Sequence, residues 1–157
     1  MIDIVRLDES FGRWPELLDL ILSSFAYMNG RIDPPSSALD LTADALRAKA
    51  VAEIGYVALD DGALAGCMFL RPESDCLYLG KLAVAPELQG RGIGKRLLAA
   101  AEATARERSL QMIRLDTRIE LTGNHAAFAA MGFVRTAEKA HPGFDRVTYV
   151  EMRKTLA

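Results

Sequence analysis

Leu77-Tyr78-Leu79-Gly80-Lys81-Leu82-Ala83-Val84 leads through Ala85-Pro86-Glu87-Leu88 into Gln89-Gly90-Arg91-Gly92-Ile93-Gly94, and an unbroken helical pattern follows to about Arg108. The first run is apolar with strand character, so the unit is strand, glycine-rich turn, helix. Glycines at 90, 92 and 94 remove side chains that would block a ligand's approach. A helix N-terminus also leaves backbone N–H groups free, and its dipole favours a phosphate or pyrophosphate. Arg91 and Lys95 add positive charge beside it. Two well-known phosphate cradles are excluded by spacing. A dinucleotide fingerprint G-x-G-x-x-G needs glycine where Lys95 stands. A P-loop needs glycine where Gln89 stands and a hydroxyl where Arg96 stands.

What remains is Gln-x-x-Gly-x-Gly, filled by Gln89, Gly92 and Gly94, directly after a strand ending Leu-Ala-Val-Ala-Pro. With the later Met131-Gly132-Phe133, this resembles the GNAT family of acyl-CoA N-acyltransferases over about Tyr56 to Met152. The resemblance implies an α/β (α+β) fold: a mixed, mostly antiparallel central sheet of about seven strands, flanking helices and a β-bulge on the fourth strand. It implies acetyl-CoA as acyl donor and no metal. The cofactor would be held by Gln89, Gly90, Arg91, Gly92, Ile93, Gly94 and Lys95. Main-chain groups around Leu82, Ala83 and Val84 would pair with its pantetheine arm, next to Asn124 and Phe128. Gly80, mid-strand, marks the bulge.

The implied reaction moves an acetyl group from the thioester to an amine, by direct attack. It needs a base for the ammonium and a proton for the departing sulfur. Counting back from Gly132-Phe133, the place where many relatives carry a proton-donating Tyr holds Phe128, and the place of their Asn falls near Leu121. Asn124, one turn later, is expected as a helix N-cap as much as a cofactor contact. The usual Glu base matches a position close to Tyr78, which could orient water or serve as the missing acid. Glu120, His125 and His141 are further candidates, and His141 in the loop before the last strand is the one placed to overhang the acceptor. By resemblance the link after the first helix lines the acceptor side, which gives Tyr27, Arg31 and Asp33 a substrate role; alternatively Arg31 and Asp33 pair with each other or with solvent.

The reading that follows is an N-acetyltransferase for a small-molecule amine. The alternatives are a peptide or protein N-acetyltransferase and a non-catalytic CoA-binding module, the latter suggested by Phe128. The 157 residues suit one domain, 1–157, of ordinary composition. A net charge of −2 gives no case for nucleic-acid binding. No apolar run approaches a membrane span or a signal peptide, so no membrane partner and a cytoplasmic location are expected. An exposed sheet edge would allow a homodimer. Cys67 and Cys76 fall in neighbouring strands, close enough to meet but expected as buried, reduced thiols.

Along the chain, strands are expected at 2–7, 54–59, 63–71, 77–84, 110–119, 133–137 and 147–152. Helices are expected at 14–28, from Thr42 to Ala50, at 93–108, and from Thr122-Gly123-Asn124 to Gly132. Asp60-Asp61-Gly62 marks a hairpin.

Overall fold

A computed structural model describes all 157 residues, Met1–Ala157. Seven strands form one sheet: β1 (Ile2–Arg6), β2 (Ile54–Asp60), β3 (Ala63–Pro72), β4 (Leu77–Val84), β5 (Met112–Arg118), β6 (Val134–Lys139) and β7 (Tyr149–Thr155), in the order β1-β2-β3-β4-β5-β7-β6. Every neighbouring pair is antiparallel except β4 and β5. The helices are α1 (Trp14–Phe25), α2 (Ala43–Ala52), α3 (Ile93–Glu107) and α4 (Thr122–Ala130). This is the mixed, mostly antiparallel seven-stranded α/β architecture expected from the sequence.

A parallel pair cannot be joined by a tight turn, so β4 and β5 need a crossover, and α3 supplies it. Its apolar residues recur at helical spacing: Ile93, Leu97, Leu98, Ala101 and Ala105 are buried against Met68, Leu70, Leu77, Leu79, Ile113 and Leu115. The opposite face of the sheet is covered by α1 and α2, with Leu17, Ile21 and Leu46 against Val57, Cys67 and Phe69. The chain thus has a core on each side of the sheet, and β3 and β4 contribute to both.

The bulge on β4 decides which side chains face which core. Phe69 lies opposite Gly80, yet Cys67 lies opposite Ala83, so two steps on β3 span three on β4. One extra residue inverts the in-and-out alternation. Before it, Leu77 and Leu79 face α3; after it, Ala83 and Ala85 face α1 and α2, and Leu82 and Val84 take the α3 side. The sequence points to Gly80 as the residue that permits this, but the left-handed backbone falls one residue later, at Lys81 with φ 51°. Gly80 is small for another reason: a Cβ there would stand 3.0 Å from the Tyr78 ring.

Several boundaries differ from expectation for local reasons. After Phe25 the expected first helix tightens into a 3-10 turn, Ala26–Met28. Thr42 caps α2 as expected, its Oγ1 accepting from Ala45 N–H at 3.0 Å. Asn124 is not a cap: α4 starts at Thr122 with Leu121 at the cap position, and the Asn124 side chain turns outward to Tyr27. The two cysteines do not meet. Cys67 pairs in register with Ala83, whereas Cys76 precedes Leu77 at the other end of the hairpin, where its thiol bonds Glu73. Both are unpaired thiols, and burial pushes them up to about 12 and about 11 respectively. No helix is long and apolar enough to cross a membrane.

Candidate active site

β4 and β5 pair only at Leu77–Ile113 and Tyr78–Arg114 and then diverge. On the other side of β4, Ala85 N–H donates to the Ala65 carbonyl at 2.8 Å and Ala83 lies opposite Cys67. Backbone groups alternate sides along a strand, so the N–H and C=O of Val84 point into the gap. The carbonyl there accepts from Ser24 Oγ at 2.7 Å and from Gln89 Nε2 at 3.4 Å. The gap is a cleft of about 730 Å³, bounded by Leu82, Ala83 and Val84 on one edge and by Leu115, Asp116, Thr117 and Arg118 on the other. Phe128 lines it from α4, its ring edge-on to Phe133 at 5.8 Å. Thr117 Oγ1 in its wall is buried with no partner in the protein.

The glycine turn stands where Gln89 leaves the cleft. Gly92 has φ 81°, which a residue with a Cβ rarely adopts. Gly94 is helical, and a Cβ there would meet nothing within 4 Å, so neither conformation nor internal packing demands glycine. Its smallness matters only to what approaches from outside. The first helical bond runs from Arg96 N–H to the Gly92 carbonyl at 3.1 Å. The N–H groups of Ile93, Gly94 and Lys95 therefore have no partner within α3. Ile93 contributes main chain alone, since its side chain is core. Arg91 and Lys95 are exposed, whereas Arg96 turns back to the Ile2 carbonyl. A pyrophosphate at this terminus, with an extended amide-bearing arm along Val84, fits these groups.

At the far end of the cleft side chains dominate. Tyr78 is packed between the guanidinium groups of Arg71 and Arg114, 4.7 and 4.4 Å from its ring centre. Burial, helped by Asp116, raises its hydroxyl above the ordinary tyrosine value, so it holds its proton at neutral pH. Asp116 is raised by burial too, against the opposing pull of Arg114, whose Nη1 lies 3.1 Å from it. His141 Nδ1 lies 2.5 Å from Thr148 Oγ1, which also accepts from the His141 backbone N–H at 2.8 Å. Burial and the charge of Arg118 lower His141 below its usual pKa, so it is neutral at pH 7. Its ring stacks edge-on to Tyr149 at 4.9 Å.

The structure gathers Tyr27, Tyr78, Leu82, Ala83, Val84, Gln89, Asn124, Phe128 and His141 around this one cleft. Gly90 through Lys95 do not line it; they continue the chain from Gln89, which does. Arg31 is exposed and does not line it. Asp33 is bound by Arg146 at 3.2 Å rather than by Arg31, and its N–H donates to Glu120. His125 is structural in its contacts, with Nε2 on the Arg118 carbonyl at 2.8 Å and Nδ1 near Arg135. Lys81, Asp116, Thr117, Arg118, Ser37 and Tyr149 line the cleft without having been singled out by sequence. One signal was present: Arg114, Asp116 and Arg118 alternate with Ile113, Leu115 and Thr117, so one face of a central strand is polar.

Such a split sheet, opening onto a glycine-rich helix start, is the framework of a known class. The acetyltransferase (GNAT) family model matches residues 14–133, and the chain belongs to that family. Over 69 residues it is 38% identical to the aminoglycoside N(6′)-acetyltransferase type 1 of Stenotrophomonas maltophilia. That match covers 44% of this chain and 40% of the relative, so it spans well under half of that protein. Among solved structures, PaiA N-acetyltransferase of Thermoplasma acidophilum in complex with coenzyme A superposes with a TM-score of 0.80 at 19% identity, over 99% of both chains. A GNAT family acetyltransferase of Staphylococcus aureus Mu50 gives 0.76 at 18%, over the whole of both. At these identities the likeness is one of fold.

Proposed function

We propose that the protein is an acetyl-CoA-dependent N-acetyltransferase that acetylates a primary amine of a small molecule by direct attack on the thioester. The observation that carries this is the divergence of β4 and β5 after Tyr78. It leaves an unpaired main-chain edge running from the side-chain end of the cleft to the free N–H groups of α3. Acetyl-CoA would supply the activated acyl group. Gly90 to Lys95 hold the pyrophosphate, Gln89 and Val84 border the arm, and a main-chain N–H near Leu82 polarises the thioester carbonyl. Phe128, with no proton to give, packs against the arm.

His141 accepts the proton of the incoming ammonium. In the tautomer whose Nδ1 donates to Thr148 Oγ1 the Nε2 lone pair is free, and the lowered pKa keeps the ring neutral at pH 7. Tyr78 donates to the departing sulfur, and its raised pKa keeps the proton available. Asn124 and Tyr27 join the two walls of the cleft. The name of the Stenotrophomonas relative supports a small amine as acceptor. Phe128 favours one other reading, a module that binds CoA without turnover.

Calorimetry with acetyl-CoA, CoA and NADH tests the first step, and thiol release with an amine panel tests the second. Micromolar binding of both CoA species and amine-dependent thiol release are expected. Binding without release would leave the non-catalytic module; no CoA binding by folded protein would sink both.

A further inference from the structure

Two cations, Lys81 and Arg118, line the cleft without a carboxylate at ion-pair distance. Lys81 sits at the bulge in a left-handed backbone, a conformation unfavourable for a residue with a Cβ. Its Nζ reaches Ser37 Oγ at 3.0 Å, a neutral partner. Burial lowers its pKa, and Lys49 and Arg118 lower it further against the pull of Glu53. Arg118 donates to the main-chain carbonyls of Pro34 and Pro35, which hold its guanidinium in place without neutralising it. The carboxylates around them are committed elsewhere. Glu53 pairs with Lys49 at 2.8 Å, and Asp116 pairs with Arg114 at 3.1 Å. Glu120 and Asp33 both pull on Arg118 from a distance, but Glu120 accepts from Asp33 N–H and lies 3.9 Å from Arg146, and Asp33 pairs with Arg146 at 3.2 Å. A half-buried charge without a counter-ion is costly, and a ligand oxyanion would relieve that cost.

We propose that the acceptor is an amine that also bears an anionic oxygen group, carboxylate or phosphate, and that Lys81, Arg118 and Ser37 bind that group while the amine faces His141. This rests on the N-acetyltransferase reading and narrows it. A polycationic acceptor of the aminoglycoside kind would bring its own positive charges against Lys81 and Arg118, and is disfavoured.

The test is thiol release from acetyl-CoA with matched acceptors: amino carboxylates, their neutral carboxamides, aminoalkyl phosphates and an aminoglycoside. The anionic acceptors should exceed the carboxamides at least tenfold in kcat/KM, and whichever anion leads identifies the source of the oxyanion. Lys81→Met should abolish that preference, raising KM for the anionic acceptor at least tenfold more than for the carboxamide. Lys81→Arg, which keeps the charge, should retain it. Equal or better use of carboxamides or the aminoglycoside by the wild-type protein would overturn the proposal without any variant. So would an equal loss on both acceptors in a folded Lys81→Met. Failure of the underlying reading looks different, because acetyl-CoA binding itself would then be missing.

Discussion

The two ends of one cleft are built by different means. At the cofactor end the ligand would meet main chain: six consecutive residues, Gly90 to Lys95, present N–H groups, and the buried Ile93 side chain fixes where α3 begins. At the acceptor end it would meet side chains, and these come from far apart. Tyr27 and Ser37 belong to the link after α1, Tyr78 and Lys81 to β4, Asp116 and Arg118 to β5, and His141 to the loop before β7. A main-chain site needs only glycine and a helix start, both local properties of sequence. A side-chain site needs a topology that brings remote segments together. The cofactor end should therefore be brittle to single changes in the turn, and the acceptor end should respond residue by residue.

The largest effect is expected at the turn. Gly92→Glu forces a Cβ into φ 81° and places a carboxylate where the phosphates would sit. Strain of about 1–3 kcal/mol together with charge repulsion should weaken acetyl-CoA binding on the order of a thousandfold. Calorimetry reads the affinity, and circular dichroism checks the fold. An affinity within tenfold of wild type would reduce the turn to a connection between strand and helix.

Next is Tyr78→Phe, which keeps the ring between Arg71 and Arg114 and removes only the hydroxyl. The rate constant kcat should fall about a hundredfold, in the range of a lost proton donor, with acetyl-CoA affinity unchanged. A normal kcat would assign the proton to water and remove Tyr78 from the chemistry.

This contrast also explains what the sequence disclosed. Gln89-Gly90-Arg91-Gly92-Ile93-Gly94 disclosed the cradle, the parallel crossover and hence the sheet, because spacing alone encodes them. The bulge was legible from Gly80, but the strained residue was not. Which residue turns left-handed depends on the register between β3 and β4, and Gly80 is consumed by the Tyr78 ring. Lys81 was hidden for that reason: with unbroken alternation it would lie on the opposite face from Tyr78. Asp33 was noticed, but its partner Arg146 lies 113 residues away, a pairing no local pattern reveals. Asn124 had the composition of a cap, and α4 starts three residues too early for it to be one.

His141→Gln tests the acceptor end by pH. Burial and Arg118 depress the imidazole, so it is neutral above its lowered pKa and charged below it. A base must be neutral, so wild-type kcat/KM should hold down past pH 6.5 and fall only as pH drops through that lowered value. The variant should be slower on the order of tenfold at neutral pH, with that acid limb flattened. An unaltered acid limb would assign it to another group and leave His141 as packing for Tyr149.

The smallest effect is expected where the two ends touch. Asn124 Nδ2 donates to Tyr27 Oη at 3.1 Å, joining α4 on the cofactor wall to the link after α1 on the acceptor wall. Tyr27 is 43% exposed, so the bond contributes at most about 1 kcal/mol, or a few-fold in KM for the amine. If the pair acts as a strut between the walls, Asn124→Ala and Tyr27→Phe should raise that KM alike, and the double variant should add nothing further. If Asn124 instead contacts the cofactor, as the family resemblance implies, Asn124→Ala alone should weaken acetyl-CoA in calorimetry and Tyr27→Phe should not. The first result would make Asn124 a link between the two ends, and the second would return it to the cradle.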